Sequence, residues 1–252
     1  MTADLIARFA LGVSGVEMLE EIRPTHVMRN QEEAYALDVH FYHERRAAFQ
    51  DRSCPGCGID GAAKPFTKHR GFPFSRCSAC WTVFMTPGPT AQHLDLFYRQ
   101  SANYEFWANV VYPTTRQKRR QLLHKPRARW VKSVLDAQSS VSTSALSVLE
   151  IGAGMGDTIE AVGCLFPSAK LAAIDPNPNM QDTLKSKGIE QFESLDAVDP
   201  SAGLDVVLAF EVLEHVLHPE ALLKRIFKLL RPGGFFLFST PNAASIEVLA
   251  LG

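Results

Sequence analysis

No apolar run in this sequence approaches the ~20 residues that a bilayer-spanning helix needs, so no membrane span is expected. The first residues, Met1 to Arg8, carry an acid at position 4 and no basic segment ahead of an apolar stretch. They do not read as a secretory signal, and cytoplasm is the expected location. Net charge is nearly absent, −1 over 252 residues, which removes any whole-chain electrostatic argument for nucleic acid or membrane. Internal repeats and low-complexity tracts are missing too; Ser139 to Ser144 is only a short polar linker. What remains, 46% hydrophobic and 21% charged, is an ordinary globular chain with room for one sizeable α/β unit and a smaller appendage.

Cysteine is scarce but patterned. Of five, four form two C-x₂-C pairs, Cys54/Cys57 and Cys77/Cys80, with 19 residues between them. In a reducing compartment, that spacing reads as metal before disulfide. Two thiolates two residues apart converge on one ion, and glycines at 56 and 58 permit the tight turn. Four thiolates close a tetrahedral shell with no open position, so a structural zinc ribbon over 51–87 is expected. Cys164, between Gly163 and Leu165 in a helical stretch, is expected to be a small buried apolar residue.

Four regions emerge along the chain. Residues 1–50 read as a helical segment, with a loose stripe of Leu5, Ile6, Phe9, Leu11, Val13, Val16 and Leu19 and a second helix from about 31 to 49. Residues 51–87 are rich in Gly, Pro and Cys and lose periodicity. Residues 88–140 turn helical again as a linker or lid, with Pro113 and Pro126 as breaks or kinks. From 141 to 252, short apolar runs at 146–151, 171–174, 206–210 and 235–238 alternate with helical stretches near 157–166, 178–187 and 219–230. Buried strands alternating with helices predict a parallel sheet covered on both faces.

The first of these strands runs directly into Gly152-Ala153-Gly154-Met155-Gly156, and a helix follows. Glycines there let the backbone turn sharply and approach a ligand closely. The second strand ends in Asp175, near the ~20-residue spacing expected for an acid that grips ribose hydroxyls. Pro176-Asn177-Pro178 then forms a turn at the ligand-binding edge. Asp175 as a mere turn or helix-cap residue is the alternative. The G-x-G-x-x-G of dinucleotide oxidoreductases is lacking.

Three segments carry a resemblance: Leu149–Gly156, Leu204–Val216 and Leu229–Asn242 with its Pro232-Gly233-Gly234 turn. With Asp175 they follow the order of the class I methyltransferases over about 145–242. The resemblance implies a Rossmann-like class I sheet and S-adenosylmethionine as cofactor, bound at Glu150, Gly152, Ala153, Gly154, Gly156, Asp175, Pro176 and Glu211. The segment Val83–Tyr98 resembles a bacterial subgroup that places a Cys-pair module ahead of this fold, several members of which modify sugars or other small molecules. It implies a small-molecule acceptor. A zinc ribbon ahead of this fold also occurs in ribosomal RNA enzymes, so an RNA acceptor is the first alternative. A non-catalytic cofactor-binding or partner-docking module is the second.

Glu211, Glu214 and His215 follow the fourth strand, and their i, i+3, i+4 spacing puts them on one face if a helical turn forms. His215 then reads as a general base, the three together as a divalent-cation site, or all three as loop-positioning residues. Between Glu105 and Asp136 no acid occurs, while Arg116, Lys118, Arg119, Arg120, Lys125, Arg127, Arg129 and Lys132 do. They read as a solvated helix face, a phosphate-binding surface, or a source of one or two cations for the cofactor's carboxylate. Tyr104, Phe106, Trp107 and Tyr112 read as a lid or as core. The class I fold adds two strands after the fifth, and this sequence stops before them. A fragment, a reduced form or a partner completing the sheet edge is expected, with association of the open edge.

Overall fold

The computed structural model describes residues 15–138, 145–177 and 180–243. The apolar stripe over 5–13, the linker 139–144 and the final apolar segment lie outside them. Among the described residues, no helix is long and apolar enough to cross a membrane.

The cysteine-rich segment forms a small antiparallel sheet of β1 (Ala63–His69), β2 (Phe72–Cys77) and β3 (Val83–Met85) in that order. Its own core is minimal: Cys54, Ala62, Cys77 and Phe84. Phe72 carries the attachment, packing against Tyr42, His43 and Phe49 of the helical segment before it.

The larger sheet has five parallel strands, β4 (Ser147–Ile151), β5 (Lys170–Ile174), β6 (Glu190–Gln191), β7 (Leu204–Phe210) and β8 (Leu230–Ser239). Their order is β6-β5-β4-β7-β8, so the chain reverses direction across the sheet at β4, where open α/β sheets bind ligands. Alternation along the strands splits the core in two. Val148, Val206, Leu208 and Phe210 pack with the helices Lys125–Asp136 and Asp157–Leu165. Leu149, Ile151, Val207 and Ala209 face Ile226 and Leu229 of the helix Pro219–Leu229. Both faces are covered, as a parallel sheet requires.

One long helical run, 102–136, ties the N-terminal half to this sheet. Asp38, buried in the helix Gln31–Glu44, caps its start by accepting from Ser101 Oγ at 2.6 Å and from the amides of Ala102 and Asn103 at 2.8 and 3.3 Å. Pro113 and Pro126 do not break the run. The helix widens into π-turns at Trp107–Val111 and Arg120–His124, closed by Tyr112 N–H to Trp107 C=O and Lys125 N–H to Arg120 C=O. Each turn ends just before a proline, which has no N–H to donate and whose ring crowds the preceding turn.

The uncompensated look of the cations on this run is corrected by the fold. Acids distant in sequence meet four of the eight: Glu21 pairs with Lys118, Asp157 with Arg116 and Arg120, Glu160 with Arg120 and Glu211 with Arg127. Arg119 lies over Trp107 and Tyr112. Cys164, expected inside, is exposed.

Candidate functional site

The glycine turn is held from four sides. Gly152, Gly154 and Gly156 have φ of 69°, 53° and 70°, left-handed values that other residues rarely adopt. The amides of Gly152 and Ala153 donate to Ile174 C=O at 2.8 and 3.3 Å. Gly154 N–H donates to Asp175 Oδ2 at 2.6 Å. Lys187 Nζ reaches Met155 C=O at 2.7 Å and Asp157 Oδ1 at 2.8 Å. A Cβ at Gly152 would stand 2.7 Å from Val212 Cγ2, whereas one at Gly154 would point into open space.

Behind the turn, Asp157 is buried and shared by Arg116, Arg120 and Lys187. Burial pushes its carboxyl up, but hydrogen bonds from Arg116 and Lys187 outweigh that and hold it below its ordinary value. His124 Nδ1 lies 2.7 Å from Thr158 Oγ1, and burial lowers its pKa to about 4, leaving a neutral ring that locks the next helical turn.

Glu150 lies beneath the turn and is buried. Its Oε2 accepts from Ile159 N–H at 3.0 Å, satisfying an amide in the first turn of the helix Asp157–Leu165. Burial raises its pKa to about 8 against the nearby Arg127 charge. One of its carboxyl oxygens is thus used at the helix start.

Beside Asp175 opens a cleft of about 630 Å³, lined also by Pro176, Asn177, Leu184, Phe192 and Arg99. Burial pushes the Asp175 carboxyl up, while the amides of Asn177 and Gly154 pull it down. The ribose and turn readings of Asp175 are thus compatible, since each carboxylate oxygen has two acceptor sites. Phe192 and Leu184 give the cleft apolar walls suited to a flat heterocycle. Sequence reading missed Arg99, Leu184 and Phe192: Phe192 follows a two-residue strand with no apolar run to mark it, and Arg99 comes from the separate helix Ala91–Gln100.

On the other side of β4, the Glu211 to His215 segment is not helical in the expected way. Glu211 has φ of 58°, and a 3₁₀ turn covers only Leu213–His215. Glu211 Oε1 accepts from Ser239 Oγ at 2.6 Å and lies 3.9 Å from Arg127, which stacks over Phe210. Glu214 accepts from Thr240 Oγ1 at 3.1 Å. His215 Nε2 is 3.9 Å from Glu214 Oε1, and its ring is half exposed. The two glutamates are therefore tied to the end of β8, and only Glu214 lies near His215. Among the described residues, only Cys54, Cys57, Cys77 and Cys80 converge as a metal-binding group, so the expected divalent-cation site at Glu211, Glu214 and His215 does not form. The aromatic residues expected as lid or core are all partly buried: Tyr104 packs with Phe97 and Tyr98, and Trp107 with Tyr112, while Tyr98 OH reaches His215 C=O at 3.5 Å.

The four cysteine sulfurs lie within 4.8 Å of one another, with Cys54–Cys80 at 3.5 Å and Cys57–Cys77 at 3.7 Å. A tetrahedral ion with ~2.3 Å bonds to sulfur needs edges of about 3.8 Å, and a disulfide needs about 2 Å. The donor set fits a tetrahedral metal ion. A hydrogen bond with the Thr82 hydroxyl draws Cys80 down to about 6, favouring its thiolate.

A strand, a glycine turn, a helix and an acid at the end of the next strand, at the switch point of a parallel sheet, define a class I methyltransferase core. The chain belongs to the methyltransferase domain family, whose model matches residues 115–251. It is similar to the ubiquinone biosynthesis O-methyltransferase of Xanthomonas oryzae pv. oryzae, 32% identical over 104 residues that make up 38% of this chain and 43% of that enzyme. The enzyme of the same name from Bradyrhizobium sp. is 33% identical over 114 residues, 42% and 44% of the two chains. The chain thus spans less than half the length of these relatives. Among solved structures, the plantazolicin methyltransferase BpumL in complex with SAH superposes with a TM-score of 0.49 at 19% identity, covering 61% of this chain and 59% of that one.

Proposed function

We propose that this chain transfers a methyl group from S-adenosylmethionine to a nucleophilic O, N or C of a small molecule. The observation that carries the reading is the placement of the glycine turn, Asp175 and the cleft on one side of β4 and Glu211 to His215 on the other. Asp175 and the walls of Phe192 and Leu184 would hold the nucleoside. The backbone of Gly152 to Gly156, Glu211 and Arg127 would hold the amino-acid end, Glu211 for the ammonium and Arg127 for the carboxylate. Bound there, the cofactor supplies an electrophilic methyl carbon.

His215 is then the general base for the acceptor's proton, with Glu214 Oε1 3.9 Å from its Nε2. A small-molecule acceptor is supported over RNA because five of the eight cations on the basic helix pair with acids within the chain. The four thiolates would hold a structural zinc ion that closes the ribbon and takes no part in the chemistry.

Calorimetric titration of S-adenosylhomocysteine into the zinc-loaded chain tests the cofactor site. Binding in the micromolar range, reduced at least tenfold in Asp175→Ala, is expected. A folded chain that does not bind would refute the reading. His215→Ala should keep that affinity and lose turnover; unchanged turnover would remove it from the mechanism.

A further inference from the structure

The two cysteine knuckles repeat one another hydrogen bond for hydrogen bond. In the first, Cys54 N–H donates to Ile59 C=O at 3.2 Å and Gly58 N–H to Cys54 C=O at 2.8 Å. In the second, Cys77 N–H donates to Thr82 C=O at 2.9 Å and Trp81 N–H to Cys77 C=O at 3.0 Å. Position 81 is therefore the counterpart of position 58. Both are left-handed, with φ of 74° at Gly58 and 67° at Trp81. The first knuckle fills the position with glycine, which bears that conformation without strain; the second fills it with the bulkiest side chain, which does not.

Core packing does not account for this. Trp81 is 68% exposed, the most exposed tryptophan on a surface that also leaves Phe66 38% exposed. Arg76 lies between the two rings, 5.1 Å from the Phe66 centroid and 4.8 Å from that of Trp81. Lys64 sits opposite Arg76 in the β1–β2 register, on the same outward side. From Gly61 to Leu94 the sequence has no Asp or Glu. A strained backbone position without a packing reason points to a function for its side chain.

We infer that the outer face of the ribbon, built on Trp81, Arg76, Phe66 and Lys64, docks single-stranded nucleic acid. The stack of ring, guanidinium and ring leaves planar faces at its ends for bases. The two cations and the absence of acids suit a phosphate backbone. None of these residues lines the cleft beside Asp175. The inference concerns docking and goes beyond the methyl-transfer reading, so it stands or falls separately from it.

The test is fluorescence anisotropy of a labelled twelve-nucleotide oligouridine with the full zinc-loaded chain, followed by the same titration with Trp81→Gly and Arg76→Ala. The expected result is binding that weakens with salt at a log–log slope near −1.4, for about two phosphate contacts. Affinity should fall about tenfold or more in each variant. Trp81→Gly adopts the residue the first knuckle already uses, so its zinc content and thermal stability should equal or exceed those of the parent. Three results would overturn the inference: no binding by the parent chain, equal binding by Trp81→Gly, or equal binding of poly-glutamate, which would assign the face to an acidic protein. A Trp81→Gly chain that loses zinc or stability would assign Trp81 to the fold and overturn it as well.

Discussion

Glu150→Gln isolates the energetic consequence of burying a carboxyl under the glycine turn. In the folded chain Glu150 titrates near 8, against 4.5 when unperturbed. Between those values the native state holds a proton that the unfolded chain has released. A carboxyl raised in this way contributes stability that is fully present below about 4.5 and is lost as pH rises through about 8. At ~1.4 kcal/mol per pH unit, that span sets a ceiling of roughly 5 kcal/mol, to be read as an order of magnitude. Glutamine matches the protonated acid in shape and keeps an oxygen for Ile159 N–H, but it does not titrate. Its buried amide displaces the whole curve by about 1–3 kcal/mol if unpaired, without changing the slope. Urea unfolding of both chains from pH 5 to 9, zinc-saturated throughout, reads the difference directly, since proton release at the cysteines cancels. The difference should move in favour of the variant by about 1.4 kcal/mol per pH unit and level off above pH 8. Parallel curves would mean that Glu150 is ionised at an ordinary pKa, and the argument from burial would fail.

Three further outcomes follow from contacts around the two sites. Gly152→Ala should weaken S-adenosylhomocysteine binding and cost about 1–3 kcal/mol of stability, because its Cβ would stand 2.7 Å from Val212 Cγ2 at a left-handed φ. Val212→Ala in the same chain should restore the steric part alone, as measured by calorimetry and urea unfolding. Cys80→Ser should remove bound zinc on dialysis against a mild chelator, read by atomic absorption, while S-adenosylhomocysteine affinity changes little; retention of one ion per chain would exclude Cys80 as a ligand. Lys187→Met should weaken cofactor affinity several-fold, because Met155 C=O and Asp157 lose a partner that is 10% exposed. Affinity equal to the parent would show that Lys187 holds the helix and not the turn.

The sheet was legible because its strands are buried on both faces and read as short apolar runs. Ser147–Ile151, Lys170–Ile174 and Leu204–Phe210 fall within one or two residues of their expected positions. β6 has no run to betray it, being two polar residues at the sheet edge, so the far wall of the cleft could not be read. The cysteine spacing announced its convergence because knuckle geometry is local. The Glu211 to His215 segment misled for the opposite reason. Its i, i+3, i+4 spacing implies a shared face only in a helix, and the left-handed Glu211 turns the chain out of one, toward Ser239 and Thr240. The cations of the long helix looked uncompensated because every acid but Asp136 that meets them is far away in sequence.

The glycine turn shows how local strain and distant contacts combine into a binding site. Three left-handed glycines at alternate positions would be mobile alone, since glycine loses more freedom on folding than any other residue. Here most polar groups of the turn have a fixed partner, among them the Gly152 and Ala153 amides on Ile174, the Gly154 amide on Asp175, and the Met155 carbonyl on Lys187. Those partners are in turn anchored: Asp175 also holds Asn177 N–H, and Lys187 also holds Asp157, which two arginines of the long helix grip. That helix starts on Asp38 of the N-terminal half. The order needed for binding is thus set during folding and not charged to the ligand, which is why changes as remote as Asp38→Ala are expected to reach the cleft through the helix.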